Sequence, residues 1–203
     1  MRTQCRILTA TFALALALAV SSNGSAASAQ DKKMPVVATF SILGDLVKNV
    51  GGDRIEVTTL VGPNSDTHVY APTPADARKV AAAKVVFVNG LGYEGWMTRL
   101  VEASGAKATS IVASEGVKSR KMQEGGHRVT DPHAWQSVGN ARIYVTNIRD
   151  GLIAADPAGK SVYDTNANAY LAQLDALETE VKDAIAKIPA ERRRLITSHD
   201  AKK

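Results

Sequence analysis

The chain has 203 residues, with 25 basic and 20 acidic side chains and a formal net charge of +5. No basic segment is interleaved with aromatic residues, so the composition argues against a nucleic-acid-binding protein. The single cysteine, Cys5, lies close to the start, which excludes disulfides and thiolate metal sites from the remainder of the chain.

The first 29 residues have the pattern of a secretory signal peptide. Arg2 and Arg6 precede an apolar run from Ile7 to Val20, and Ala27–Ala29 supplies a small-residue cleavage site. The run is shorter than the roughly 20 residues that a bilayer span needs. The only cysteine precedes this run, so it is not placed to become a lipid-modified N-terminus. We expect cleavage after Ala29 and an exported, soluble chain with 23 basic and 20 acidic residues.

Strand and helix patterns alternate along the next eighty residues. β-branched and apolar runs predict strands, and amphipathic spacing predicts the helices between them. Ser41 is the expected N-cap of the first helix and Gly51 its stop, while Thr73, Pro74 and Asp76 are typical of a helix start. The predicted strands are 36–40, 55–61, 84–90 and 108–112, and the predicted helices are 41–51, 73–83 and 94–104. This order predicts an α/β fold, a parallel sheet with flanking helices.

The second half of the chain is predicted to be mainly helical. Residues 118–128 are basic and glycine-rich, which predicts a mobile loop. A helix opens at Ser137, and Asp156-Pro157 is the expected cap of a much longer one, which Pro189 stops. Some thirty helical residues span about 45 Å, so this helix is expected to pack along one domain and carry the chain elsewhere. Its apolar stripe comprises Tyr163, Ala167, Tyr170, Leu174, Leu177, Val181, Ala184 and Ile188.

The last eleven residues, 193–203, contain one short predicted strand. Leu195–Thr197 is followed by Ser198, His199 and Asp200, and the chain ends at Lys203. A strand that begins here without partners predicts a second sheet, most of which is missing from this chain.

Three of the four histidines fall in predicted loops where a ligand crevice is expected. His68 and His199 follow strands, and His133 lies before the helix that opens at Ser137. Loops beyond the carboxyl ends of parallel strands form the ligand site of open α/β sheets. A single loop histidine is more often a surface group, and spacings of 65 and 66 residues match no local zinc motif. We interpret His127, in the glycine-rich segment, as a solvent-exposed residue.

An aspartate lies within two residues of each of the three candidate histidines. Metal-bound imidazoles usually need a hydrogen-bonding partner on the other ring nitrogen. The three aspartates are Asp66, Asp131 and Asp200.

Two segments, a long helix after them and a short final motif carry a resemblance to a known protein family. The segments are "VGPNSDTHVYAPTPADARKVAAAKVVFVNGLGYEGW" and "DPHAWQSVGNARIYVTNI", and the final motif is "TSHDA". In these features the chain resembles the periplasmic zinc- and manganese-binding proteins of ABC importers. In that family a long rigid helix joins two α/β lobes, and the metal lies in the cleft between them. The resemblance implies that His68 and His133 are ligands from the first lobe and His199 is a third. It implies a carboxylate as fourth ligand, which has no counterpart here, and therefore a C-terminally truncated chain.

The resemblance also implies a division of the chain and a function. The expected parts are a signal peptide (1–29), an N-terminal α/β metal-binding lobe (30–155), a connecting helix (156–189) and the start of a truncated C-terminal lobe (190–203). The implied protein is a periplasmic monomer, not an enzyme, that captures a divalent metal ion and passes it to an ABC permease in the inner membrane.

Three imidazoles favour zinc over manganese, since manganese prefers oxygen ligands. Zinc-binding members often carry a long histidine-rich loop before "DPH", and this chain has only His127 there. Imidazole must be neutral to bind, so affinity should fall as the pH drops through about 6.5.

Two other functions stay open at this point. Three histidines and a water around zinc are also the arrangement of a hydrolytic site, although the chain has no H-E-x-x-H motif. An exported interaction or adhesion module with incidental histidines is the other alternative. Histidine-to-alanine substitutions distinguish that module from metal capture.

Overall fold

A four-stranded parallel sheet forms the centre of the protein. The structure is a computed structural model that describes residues 32–194, apart from the side chain of Glu124. The strand order is β2-β1-β3-β4, and all three pairings are parallel. The strands are β1 (Met34–Phe40), β2 (Ile55–Val61), β3 (Val85–Val88) and β4 (Thr109–Val112). The predicted α/β fold with a parallel sheet is confirmed.

Five helices connect and cover the strands. Three follow the first three strands, as predicted, and two longer ones follow the last strand. The helices are α1 (Ser41–Gly51), α2 (Pro74–Ala82), α3 (Met97–Ser104), α4 (Val138–Ala155) and α5 (Lys160–Ala186). α1 and α4 pack on the sheet, and α5 packs against both of them. None of the helices within residues 32–194 combines the length and apolar character needed to cross a bilayer.

The predicted helix starts were partly right. Thr73 and Asp76 form a complete capping box at the start of α2, as expected. The prediction of Ser41 as an N-cap was wrong: it is the first residue of α1, and Phe40 occupies the cap position without a side-chain bond. Two predicted features, the signal peptide and the strand Leu195–Thr197, lie outside the described residues.

The core lies between the sheet and the helices α1, α4 and α5. β1 is buried from Val36 to Phe40, as expected for a central parallel strand covered on both faces. The largest fully buried side chains are Tyr144, Tyr163, Phe87, Leu43, Ile148 and Leu152. These residues come from the strand β3 and three different helices, so the core fixes the strand ends relative to the helices.

Residues 118–128 do not form the predicted loop. Residues 121–130 instead form an antiparallel hairpin of two strands, β5 (Lys121–Glu124) and β6 (His127–Thr130). Gly125 and Gly126 join the strands with φ of 56° and 79°, the left-handed values that a two-residue hairpin turn requires. Met122 is buried and gives the hairpin an anchor. The glycines that suggested mobility instead form the turn.

Asp156 occupies the predicted cap position before the long helix, but its side chain makes no capping hydrogen bond. A short 3₁₀ turn, Pro157–Gly159, precedes α5, and no side chain caps either element. Asp156 instead accepts two hydrogen bonds from the Arg54 guanidinium, at 2.9 and 3.1 Å, and one from the Tyr163 hydroxyl at 2.7 Å. The carboxylate therefore ties the end of α1 to the junction between α4 and α5.

The long helix is packed over its first half only. Tyr163, Ala167 and Leu174 are buried against the domain. Beyond them the apolar stripe continues but is solvent-exposed in the described structure. We call these exposed large apolar residues the distal stripe: Leu177, Val181 and Ile185 in α5, and Ile188 just after its end.

Candidate metal centre

His68 and His133 meet at the carboxyl-terminal edge of the sheet. His68 lies in the loop between β2 and α2, and His133 lies between β6 and α4. Although the two residues are 65 positions apart, the Nε2 atoms of their rings are 3.2 Å apart. The structure thus brings two of the three candidate ligands together. His199 lies outside the described residues, and His127 is exposed at the start of β6.

Asp131 orients the ring of His133. Both residues are buried, and one carboxylate oxygen lies 2.9 Å from the ring Nδ1. The same oxygen accepts the backbone N–H of His133 at 2.9 Å. A carboxylate acceptor holds the imidazole proton on Nδ1, so the lone pair of Nε2 points towards His68. The predicted pairing of this aspartate and histidine is therefore present.

Hydrogen bonds and a ring contact fix the loop that carries His68. Trp96 donates its indole N–H to the carbonyl oxygen of Thr67 at 2.9 Å, and Thr67 is buried. Asp66 accepts the backbone N–H of His68 at 2.9 Å, so this aspartate stabilises the turn itself. The ring of His68 packs edge-on against Tyr93, with 4.8 Å between ring centroids. Trp96 and Asp66 thus fix the backbone at His68, and Tyr93 positions its ring.

An aromatic cluster supports the two histidines. Phe40, Tyr93 and Trp135 pack on one another with ring centroids 4.8–5.2 Å apart. Tyr93 and Trp135 also contact the His133 ring, at 5.8 and 5.3 Å between centroids. Burial raises the pKa of the Tyr93 hydroxyl, which keeps it protonated at neutral pH. Residues 65–69, Tyr93 and His133 line a cavity of about 520 Å³ above this cluster.

Asn89 connects the end of β3 to the loop that carries His133. It is fully buried, and its amide donates to the Pro132 carbonyl oxygen at 2.9 Å. Its own oxygen accepts the Tyr144 hydroxyl at 2.6 Å. These partners are 43 and 55 positions away, so no local pattern indicated them. The only sequence signal is a polar residue directly after an apolar strand.

Glu94 closes the loop that follows β3. Its carboxylate accepts the Thr39 hydroxyl and the Asn89 backbone N–H, both at 2.6 Å, and the Gly90 N–H at 3.2 Å. Burial raises the pKa of Glu94, although these hydrogen bonds act in the opposite direction. The carboxylate therefore organises the loop backbone beneath the aromatic cluster.

The histidine pair is a partial coordination site. Within residues 32–194 no group of three or more histidine, cysteine, aspartate or glutamate side chains could hold a metal ion. The described part of the chain thus offers two neighbouring imidazole nitrogens on a rigid support.

Comparison with known proteins identifies the family of this chain. Residues 36–203 match the family described as "ZnuA: Zinc-uptake complex component A periplasmic". The chain belongs to this family. The predicted resemblance to metal-binding proteins of ABC importers is thereby confirmed. Every family member reported below is named as a binding protein, and none as an enzyme or an adhesion protein.

Relatives of this ZnuA-family chain carry several metals in their names. The iron-binding protein YfeA of Yersinia pestis is 37% identical over 84% of this chain and 55% of its own length. The manganese ABC transporter substrate-binding lipoprotein PsaA of Streptococcus pneumoniae is 38% identical over 92% of this chain and 62% of its own length. The chain therefore spans less than two thirds of these relatives.

A solved structure confirms the fold. The Mn-bound S38A mutant of a periplasmic metal-binding protein from candidatus Liberibacter asiaticus superimposes with a TM-score of 0.76 and 34% identity. The match covers 84% of this chain and 63% of that one.

Proposed function

We propose that this chain is an exported solute-binding protein that captures a divalent transition metal ion and delivers it to an ABC permease. The observation that carries the proposal is the pair of Nε2 atoms of His68 and His133, 3.2 Å apart at the sheet edge. Two imidazoles that face each other through their Nε2 atoms, with one oriented by a buried carboxylate, are suited to bind a common ion.

The separation of the two nitrogens fits metal coordination. Zinc–imidazole bonds are about 2.0–2.1 Å long. Two nitrogens 3.2 Å apart then subtend about 100° at the ion, close to a tetrahedral angle. The same distance fits a hydrogen bond between the two rings, and an ion at this point would replace that bond by two coordinate bonds.

His199 is the proposed third ligand, and residues 30–155 are the proposed metal-binding lobe. In this division 156–189 connects that lobe to a second one, which begins at 190–203. The exposed distal stripe on α5 supports a connecting role, because this half of the helix extends beyond the surface against which the first half packs. The resemblance implies a carboxylate as the remaining ligand.

Zinc is the favoured ion, with manganese as the alternative. Three neutral imidazoles suit zinc better than manganese, which prefers oxygen donors. The family description names zinc uptake, whereas PsaA is named for manganese and YfeA for iron. The choice therefore rests on the number of nitrogen ligands. A competition titration with both ions measures it directly.

The proposed location is the periplasm, reached through a cleavable signal peptide at residues 1–29. The proposed partners are the metal ion and the permease, and the proposed assembly state is a monomer. An exported carrier needs a rigid site rather than a reactive one, and the buried supports of His133 and of the His68 loop provide this rigidity.

Isothermal titration of residues 30–203 with zinc and with manganese tests the proposal. We expect one zinc ion per chain and a large loss of affinity in His68→Ala and in His133→Ala. His127→Ala is the matched control, because it removes an exposed histidine from the nearby hairpin. A folded wild-type sample that binds neither ion, or single variants that bind as well as the control, would contradict the proposal.

A further inference from the structure

The β5–β6 hairpin and the three residues before it form a concentrated region of positive charge. Residues 118–130 contain four cationic side chains and one acidic one, Glu124, a net charge of +3. Residues 30–203 have 23 basic and 20 acidic side chains, also +3, so the remainder of that segment is neutral overall. The four cations are Lys118, Arg120, Lys121 and Arg128.

Strand pairing places two of these cations on the outer face of the hairpin. Met122 pairs with Val129, and Met122 is buried, so this face points inward. Side chains alternate across a strand, which puts the Lys121 and Arg128 positions on the opposite face. Lys118 and Arg120 are also exposed. Among the ion pairs formed within residues 32–194, with the Glu124 side chain set aside, none involves these four cations.

The hairpin is attached directly to the metal centre. The backbone N–H of Asp131, the residue that orients His133, donates to the carbonyl oxygen of Arg120 at 2.9 Å. Positive charge beside a cation site repels the incoming ion, so these side chains do not serve metal capture. An anionic partner would complement these side chains, and its binding would bring the histidine pair close to that partner.

We propose that the outer face of the hairpin binds anionic lipid headgroups at the membrane surface. Protein–protein interfaces have an apolar or aromatic centre. Of the large hydrophobic residues exposed within residues 32–194, none lies in 118–130. An anionic lipid surface needs no such centre, since each lysine or arginine near it strengthens binding about fivefold. This face is purely polar and cationic, which fits a layer of headgroups better than an acidic protein.

Vesicle sedimentation tests the proposal without any metal, so its outcome is independent of the function proposed above. Residues 30–203, which include every core residue of the described range 32–194, are mixed with phosphatidylglycerol or phosphatidylcholine vesicles at low and high salt. We expect binding to phosphatidylglycerol only, weakened by salt. Lys121→Gln/Arg128→Gln should lower the partition coefficient about 30-fold.

Arg78→Gln/Lys107→Gln is the matched control. It removes two exposed cations of α2 and of the loop before β4, and should leave most of the binding intact. Circular dichroism verifies that both variants are folded. Absence of binding to phosphatidylglycerol at low salt, or an equal loss in the two variants, would overturn the proposal. So would hairpin variants that keep vesicle binding but lose binding to a purified permease, because the partner would then be a protein.

Discussion

Replacement of Asn89 by alanine should weaken both the fold and the metal centre. The change leaves the Pro132 carbonyl without its donor and the Tyr144 hydroxyl without its acceptor, both in buried surroundings. Each unsatisfied buried group costs about 1–3 kcal/mol. We therefore expect the free energy of unfolding to fall by about 2–6 kcal/mol, measured by urea denaturation followed by circular dichroism. Most domains of this size retain a folded state after such a loss.

Metal affinity distinguishes a local effect of Asn89→Ala on the His133 loop from a general loss of stability. Pro132 directly precedes His133, so release of its carbonyl loosens the His133 loop and should lower metal affinity in calorimetry. Tyr144→Phe is the control: it removes one hydroxyl, costs about 1 kcal/mol and leaves the bond from Asn89 to Pro132 in place. A loss below 1 kcal/mol in Asn89→Ala, or equal losses of affinity in both variants, would refute the reasoning.

Three further predictions concern the supports of the site and the helix junction. Asp131→Asn should reduce metal affinity about 10- to 100-fold in calorimetry, because it weakens the acceptor on His133 Nδ1. Gly159→Ala places a methyl group 2.5 Å from Asp156 Oδ2 and should lower the free energy of unfolding, measured with urea, by about 1–3 kcal/mol. Gly139→Ala is the control, because it lies in the open first turn of α4 and should leave the free energy of unfolding unchanged or raise it. Hydrogen bonds from Arg54 lower the pKa of Asp156 in the folded state. The carboxylate therefore contributes fully to the free energy of unfolding above the pKa of an unfolded aspartate, about 3.9, and this contribution is lost as the pH falls below that value. Asp156→Asn should accordingly reduce the difference in the free energy of unfolding between pH 6 and pH 2.

The sheet and the position of His68 were predictable because their determinants are local patterns joined by a topological rule. The alternation of apolar strands and capped helices, such as the Thr73–Asp76 box, was sufficient for a parallel sheet. A parallel sheet brings the loops after its strands to one edge, and His68 lies in the loop after β2. His133 instead follows β6 of the hairpin and meets His68 through the tertiary fold. Their role as metal ligands remains a prediction.

The errors share a physical cause, which is competition between local and distant partners. Asp156 has the local features of a helix cap, but Arg54, 102 positions earlier, holds its carboxylate. The four-residue strands of the hairpin are too short to show alternation, and the burial of Met122 that stabilises them depends on the folded domain. The roles of Asn89 and Glu94 were not predicted, because a buried polar residue is identified by its hydrogen-bond partners and not by its neighbours in sequence.

The two histidines that face each other are 65 positions apart, and only the folded sheet brings them together. An unfolded chain would hold an ion between both rings far more weakly, so an ion that binds there favours the native state. Such an ion adds stability in proportion to the logarithm of its concentration, about 2.7 kcal/mol at a hundred times the dissociation constant. Under the proposed function, metal supply would therefore also affect the lifetime of the protein: in a compartment that contains proteases, we expect the metal-bound form to be degraded more slowly than the metal-free form.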